Sequence, residues 1–199
     1  MNKLALLLLP LSLCLSGCGS PSDETPDPKT APLANAKMGG AFTLVDQNGQ
    51  PTTQAALKGR YALVYFGYTF CPDVCPVDAS TMGQAVSAFE KAFPDRGARL
   101  LPVFITADPA RDTPAALKQF LGNFHLRFLG LTGTEAQIDA TAKLYGVPIL
   151  REKPDKNGNY LVVHPRYTTL YGPDGKPLAF IPVDQGVDAS VAELRRWVR

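Results

Sequence analysis

Residues 61–76 read YALVYFGYTFCPDVCP, and the architecture follows from how this stretch is built. Positions 61–66 are all apolar and are bounded by Gly59-Arg60 and Gly67, as in a strand buried on both faces. The strand runs straight into two cysteines. Beyond them Met82, Ala85, Val86, Phe89, Ala92 and Phe93 recur at helical spacing, which predicts a helix with one apolar face closed by Pro94.

Downstream the alternation repeats. Residues 100–106 form a second apolar strand, and Thr113-Pro114 opens a helix through Phe120 and Leu121, with Thr113 as N-cap. A short strand is expected over 127–131 and a helix over 134–145, stopped by Gly146. After the Asn157-Gly158 turn, 160–170 reads as extended; Pro173-Asp174-Gly175 then turns into a strand over 177–183, and 187–198 is a closing helix. Upstream, 42–45, the turn Asp46-Gln47-Asn48-Gly49 and Thr52-Thr53 predict a small prefixed hairpin. Strands and helices in this order predict an α/β fold: a mixed sheet flanked by helices, with an N-terminal hairpin extension. There is no internal repeat.

The chain has 199 residues with Lys+Arg 20 against Asp+Glu 18, a formal charge of +2, and is 45% hydrophobic. That suits one domain with flanking pieces and offers no general basic field for nucleic acid. Residues 1–17 read as an export signal: one Lys, an apolar run too short to span a bilayer, then small residues. Leu15-Ser16-Gly17-Cys18 resembles the bacterial lipobox, which implies cleavage before Cys18 and lipid on that residue. Residues 18–37, rich in Pro, Ser, Asp and Thr, read as a semi-extended tether. The folded unit is expected over 38–199.

This leaves Cys71 and Cys75 in the mature domain, since Cys14 departs with the signal. A pair four apart in an oxidising compartment staples little, so chemistry explains it better than structure. At a strand-to-helix junction, free N–H groups and the helix dipole favour thiolate, so Cys71 is expected to have a depressed pKa. Pro72 is expected in the first helical turn, and Cys75 on the same face as Cys71. The chain has two histidines. His125, in Gly122-Asn123-Phe124-His125, reads as a capping or exposed residue at a helix exit, whereas His164 sits in a loop entering a strand expected beside 61–66. Two thiolates and one neutral imidazole suit Cu(I) and admit Cu(II); zinc prefers a fourth ligand.

With these residues in view the sequence resembles the Sco/SenC family, thioredoxin-fold copper-binding proteins that assist assembly of the CuA centre of cytochrome c oxidase. The resemblance spans roughly 40–199 and rests on FGYTFCPDVCP at 66–76, TADPARDTP at 106–114, FLGLTGT at 128–134, and the His164 segment followed by LYGPDGKPL at 170–178. It implies a thioredoxin-like mixed sheet, copper as the metal, and Cys71, Cys75 and His164 as its ligands, with Asp73 and Asp108 as acidic residues near the site. It also implies partners: the copper-site subunit of the oxidase and other copper chaperones, met by an exported bacterial lipoprotein facing the periplasm or cell exterior. One departure stands out. Val163 and Pro165 flank the histidine where the family has Asp before it and Ser or Thr after it, which removes an acidic orienter of the imidazole.

Pro165 also resembles the cis-proline loop of thiol-disulfide oxidoreductases, so a reductase acting on exported protein cysteines is the competing function. The CxxxC spacing weighs against it, because the usual redox motif of this fold has two intervening residues. A peroxidase-like activity has no support beyond the fold. Three acidic residues also carry blander expectations: Asp108 starts a turn, Asp73 complements a helix N-terminus, and Arg111 with Asp112 forms a solvated pair.

Overall fold

The structure, a computed structural model, describes residues 26–199. The signal expected over 1–17 and the lipidation site Cys18 lie outside the described residues. In chain order the elements are β1 (Thr43–Asp46), β2 (Pro51–Thr53), β3 (Tyr61–Gly67), α1 (Val74–Ala92), α2 (Pro94–Ala98), β4 (Leu100–Thr106), α3 (Pro114–Leu121), β5 (Leu129–Thr132), α4 (Glu135–Leu144), β6 (Leu150–Arg151), β7 (Val162–Val163), β8 (Thr168–Tyr171), β9 (Pro177–Ile181) and α5 (Val187–Trp197). Seven strands form one sheet in the order β2-β1-β5-β4-β3-β8-β9, and β6 pairs with β7 apart from it. β3, β4 and β5 run parallel, whereas β1, β2, β8 and β9 pair antiparallel, so the sheet is mixed as expected.

The apolar run of β3 is explained by cover on both sides. Tyr61, Leu63 and Tyr65 pack with Met82 and Phe89 of α1, Leu117 of α3 and Trp197 of α5. Ala62, Val64 and Phe66 alternate to the other face and pack with Ile138 and Ala142 of α4. Each such Leu, Val or Phe stabilises the fold by about 1.5–3 kcal/mol, so a polar residue anywhere in the strand would be costly. At its end, a Cβ on Gly67 would meet Tyr65 Cε1 at 2.6 Å and Phe104 Cζ at 2.9 Å, so glycine lets the chain leave the sheet here. Register pairs Gly67 with Thr106, which places the 68–75 and 107–113 segments side by side beyond the sheet.

Several boundaries differ from expectation. The hairpin is no mere prefix, because β1 pairs with β5 and extends the main sheet. Pro94 does not simply end α1: a proline lacks the N–H that a first helical position leaves unbonded anyway, and here it opens α2. The extended 160–170 segment divides between β7 and β8, with His164 in the gap. The described part of the tether is not free. Pro28–Thr30 forms a 3₁₀ turn, Ala31 is buried in the core, and the Leu33 N–H donates to the Leu178 carbonyl at 3.0 Å. The segment lacks bulk for its own core, yet its small residues dock beside β9.

Candidate metal centre

The two thiols occupy different environments. α1 starts at Val74, so Pro72 lies before the helix and Pro76 is the proline of the first turn. Asp73, at the N-cap, is exposed and makes no capping bond. A cysteine sulfur caps instead: the Cys75 N–H points at Cys71 Sγ at 3.4 Å. Cys71 is therefore at the helix tip rather than on its face. Burial pushes its pKa up, but hydrogen bonds from the Cys75 thiol and from the Asp73, Cys75 and Val74 amides outweigh this and leave it below the ordinary thiol value. Cys75 is fully buried; burial, with Cys71 beside it, pushes its thiol up to about 12.

His164 enters from the loop between β7 and β8. Its Nδ1–H donates to the Pro165 carbonyl at 2.9 Å, so the Nε2 lone pair faces Cys75 Sγ at 3.5 Å. Tyr65 and Tyr68 stand edge-on to the ring, with centroids 6.1 and 6.0 Å away. Burial, against the Pro165 carbonyl and Asp78, holds the imidazole below its ordinary pKa and hence neutral. Every peptide bond among the described residues is trans, His164–Pro165 included, so the loop lacks the cis-proline geometry considered above.

A carboxylate that the sequence did not single out lies beneath this contact. Asp78, one helical turn after Cys75, is 1% exposed. It accepts from Tyr65 Oη at 3.0 Å and from both Arg166 Nε and Nη2, at 3.1 and 2.8 Å. Its signal in the sequence was an acidic residue on the apolar face of a helix.

Asp108 is fully buried, starts the expected turn by accepting from the Arg111 and Asp112 amides, and also pairs with Arg111 and accepts from Tyr160 Oη at 2.7 Å. The Arg111 guanidinium lies 3.7 Å from the Tyr160 ring centroid and 5.7 and 5.1 Å from Tyr68 and Phe70. Asp108 thus meets the site through the arginine and the aromatic wall. The expected solvated Arg111–Asp112 pair is corrected. Asp112 is fully buried and accepts from the Thr69 amide and hydroxyl and from Thr106, fastening the cysteine loop to the end of β4. His125 stays apart, accepting at Nδ1 from the Arg127 N–H and meeting Glu90 through Nε2 at 3.3 Å.

The arrangement brings together one neutral imidazole nitrogen and one buried thiol, with a second, more acidic thiol at the mouth. Two sulfurs that bind as thiolates and one neutral imidazole make a soft donor set walled by aromatic rings, which fits a monovalent soft cation. No group of three or more His, Cys, Asp and Glu side chains among the described residues is already arrayed for a metal.

A model of the SCO1/SenC family matches residues 30–199. An SCO2-like protein of Rickettsia conorii is 42% identical over 166 residues, which is 83% of this chain and 77% of the relative. A copper-bound structure of ScoI from Bradyrhizobium japonicum is 34% identical with a TM-score of 0.72, covering 81% of this chain and 99% of that one. Yeast Sco1 is 33% identical with a TM-score of 0.73, covering 79% and 95%. The chain belongs to the SCO1/SenC family, and its fold is the thioredoxin-like mixed sheet of those structures.

Proposed function

We propose that this protein is a membrane-tethered copper chaperone that carries copper as cargo on Cys71, Cys75 and His164 and delivers it to the CuA site of cytochrome c oxidase. The observation that carries the reading is the His164 Nε2 lone pair set 3.5 Å from Cys75 Sγ, with Cys71 one hydrogen bond away at the mouth. Cys71 is half-buried in the loop before α1, outside the helix that carries Cys75. Loading requires reduced thiols and releases their protons. Copper held in the ScoI relative supports the choice of metal. Phe70, Leu150 and Val163 are exposed around the mouth, where an acceptor can dock and exchange ligands. No helix among the described residues is long and apolar enough to cross a membrane. The tether in this reading is lipid on Cys18, supported by the lipobox resemblance of residues 15–18, with the domain exported to the periplasm or cell exterior.

The test is anaerobic copper uptake by the reduced protein: one copper per chain in wild type, none in Cys71→Ser or Cys75→Ser, and weakened binding or an altered Cu(II) spectrum in His164→Ala. Stoichiometric binding by both serine variants would refute the site.

The thiol asymmetry favours a second reading. A Cys71 thiolate attacks a partner disulfide, forming a mixed disulfide and releasing one partner thiolate. Cys75 then displaces the second, leaving the partner reduced and the Cys71–Cys75 pair oxidised. An abundant mixed disulfide trapped by Cys75→Ser supports exchange; its absence beside tight copper binding supports carriage.

A further inference from the structure

We infer that Arg166 and Asp78 form a clamp that positions His164, and that the clamp tunes the hold on Cu(II) far more than the hold on Cu(I). The inference rests on the copper reading above and adds two positioning residues to it. Val163 stands before the histidine, so no acidic neighbour in sequence orients the ring. The nearest carboxylate bound to this loop comes from elsewhere: Asp78 on α1 receives both arms of the Arg166 guanidinium, at 3.1 and 2.8 Å. A two-pronged bond of this kind fixes direction as well as distance, which a single contact does not.

The clamp joins the three elements that make the site. Asp78 shares α1 with Cys75, three residues away, so its position is rigidly tied to that sulfur. Tyr65, on β3, donates to the same carboxylate at 3.0 Å and stands edge-on to the His164 ring. Arg166 lies two residues after His164, before β8 begins at Thr168. β7 and β8 hold the loop at its ends, but β7 is two residues long and belongs to a separate two-stranded sheet. Beside the Cys75–His164 contact itself, the Arg166 fork is a second side-chain link between the histidine loop and the helix that carries the buried thiol. Asp78 is 1% exposed while the Arg166 side chain is 46% exposed, so the arginine covers the carboxylate from the solvent side.

The preference between oxidation states follows from coordination chemistry. Cu(I) is satisfied by two thiolates, which α1 and the preceding loop supply without the histidine. Cu(II) needs a further harder donor, and in this donor set that is the imidazole. Loosening the loop therefore removes little from Cu(I) and much from Cu(II).

The experiment compares wild type, R166Q, R166K and H164A, all reduced and of verified fold by circular dichroism. It reads Cu(I) affinity by chelator competition, Cu(II) affinity and sulfur-to-copper absorption, and the His164 ring signals of the metal-free protein by NMR. R166Q is expected to keep Cu(I) affinity within about threefold, to lose Cu(II) affinity by about tenfold or more, and to shift its spectrum toward that of H164A. Its metal-free His164 signals should broaden. R166K, which keeps the charge but not the fork, should fall between. Should R166Q not fold, R166K carries the test through the same three readouts. Wild-type Cu(II) behaviour and ring signals in a folded arginine variant, or an equal loss of both oxidation states, would overturn the clamp. A wild type that takes up no copper, or an H164A indistinguishable from it, would instead overturn the metal reading.

Discussion

Limited alkylation of the reduced, metal-free protein at pH 8 should modify Cys71 well before Cys75. The Cys75 thiol is pushed up to about 12 by burial beside Cys71, while the amides at the start of α1 and the Cys75 thiol draw Cys71 below its ordinary 9.0. At pH 8 about one Cys75 in 10⁴ is ionised, while Cys71, held below its ordinary value, is ionised in a far larger share of molecules. The less basic sulfur is the poorer nucleophile, but with a Brønsted slope near 0.45 each tenfold gain in thiolate is offset by only about threefold, so Cys71 keeps the faster rate. Full burial of Cys75 widens the gap. The assay is stoichiometric iodoacetamide on the folded protein, followed by peptide mapping at several times; wild type is used because replacing either sulfur changes the other's environment. Equal rates, or Cys75 reacting first, would show that the helix tip does not stabilise the Cys71 thiolate and would remove the basis for calling it the attacking or entry sulfur.

Cu(I) affinity should rise with pH between about 6.5 and 8 by between one and two decades per pH unit. Cys75 releases a full proton on binding, Cys71 up to one, and His164, held below 6.5, releases little over this range. A flat profile in chelator competition would exclude thiolate ligation. Asp112→Ala should cost about 2–4 kcal/mol in urea unfolding, because the buried Thr106 hydroxyl and the Thr69 amide and hydroxyl lose their acceptor. A change under about 0.5 kcal/mol would show that the cysteine loop is not held there. On the proposed lipid tether, Cys18→Ser should move the protein from the membrane fraction to the soluble fraction of cells; unchanged membrane partition would refute the tether.

Much of this molecule was legible because local patterns carry it. The both-face burial of β3 and β4 shows as unbroken apolar runs, and Thr113 caps α3 as its place before Pro114 predicts. Where local rules competed, the reading slipped. Pro94 obeys helix-ending and helix-starting rules alike, and here the second governs because another helix follows at once. Residues 26–37 have the composition of a tether, yet docking against β9 needs only small side chains and a few backbone bonds. Asp112 looked like half of a surface pair with Arg111, its neighbour, when its true partners are Thr69 and Thr106.

The sequence by itself determined the alternation of strands and helices, the thiols at the junction after β3 and the restriction of any imidazole to two positions, since periodicity and spacing are properties of neighbours along the chain. Only the tertiary structure decided that His164 meets Cys75 across 89 residues and that Arg166 closes on Asp78 across 88. Those contacts are made by the sheet, which sets β8 beside β3 and so brings a distant loop onto the tip of α1. Proximity of that kind is set by strand order and register, which no short stretch of residues encodes.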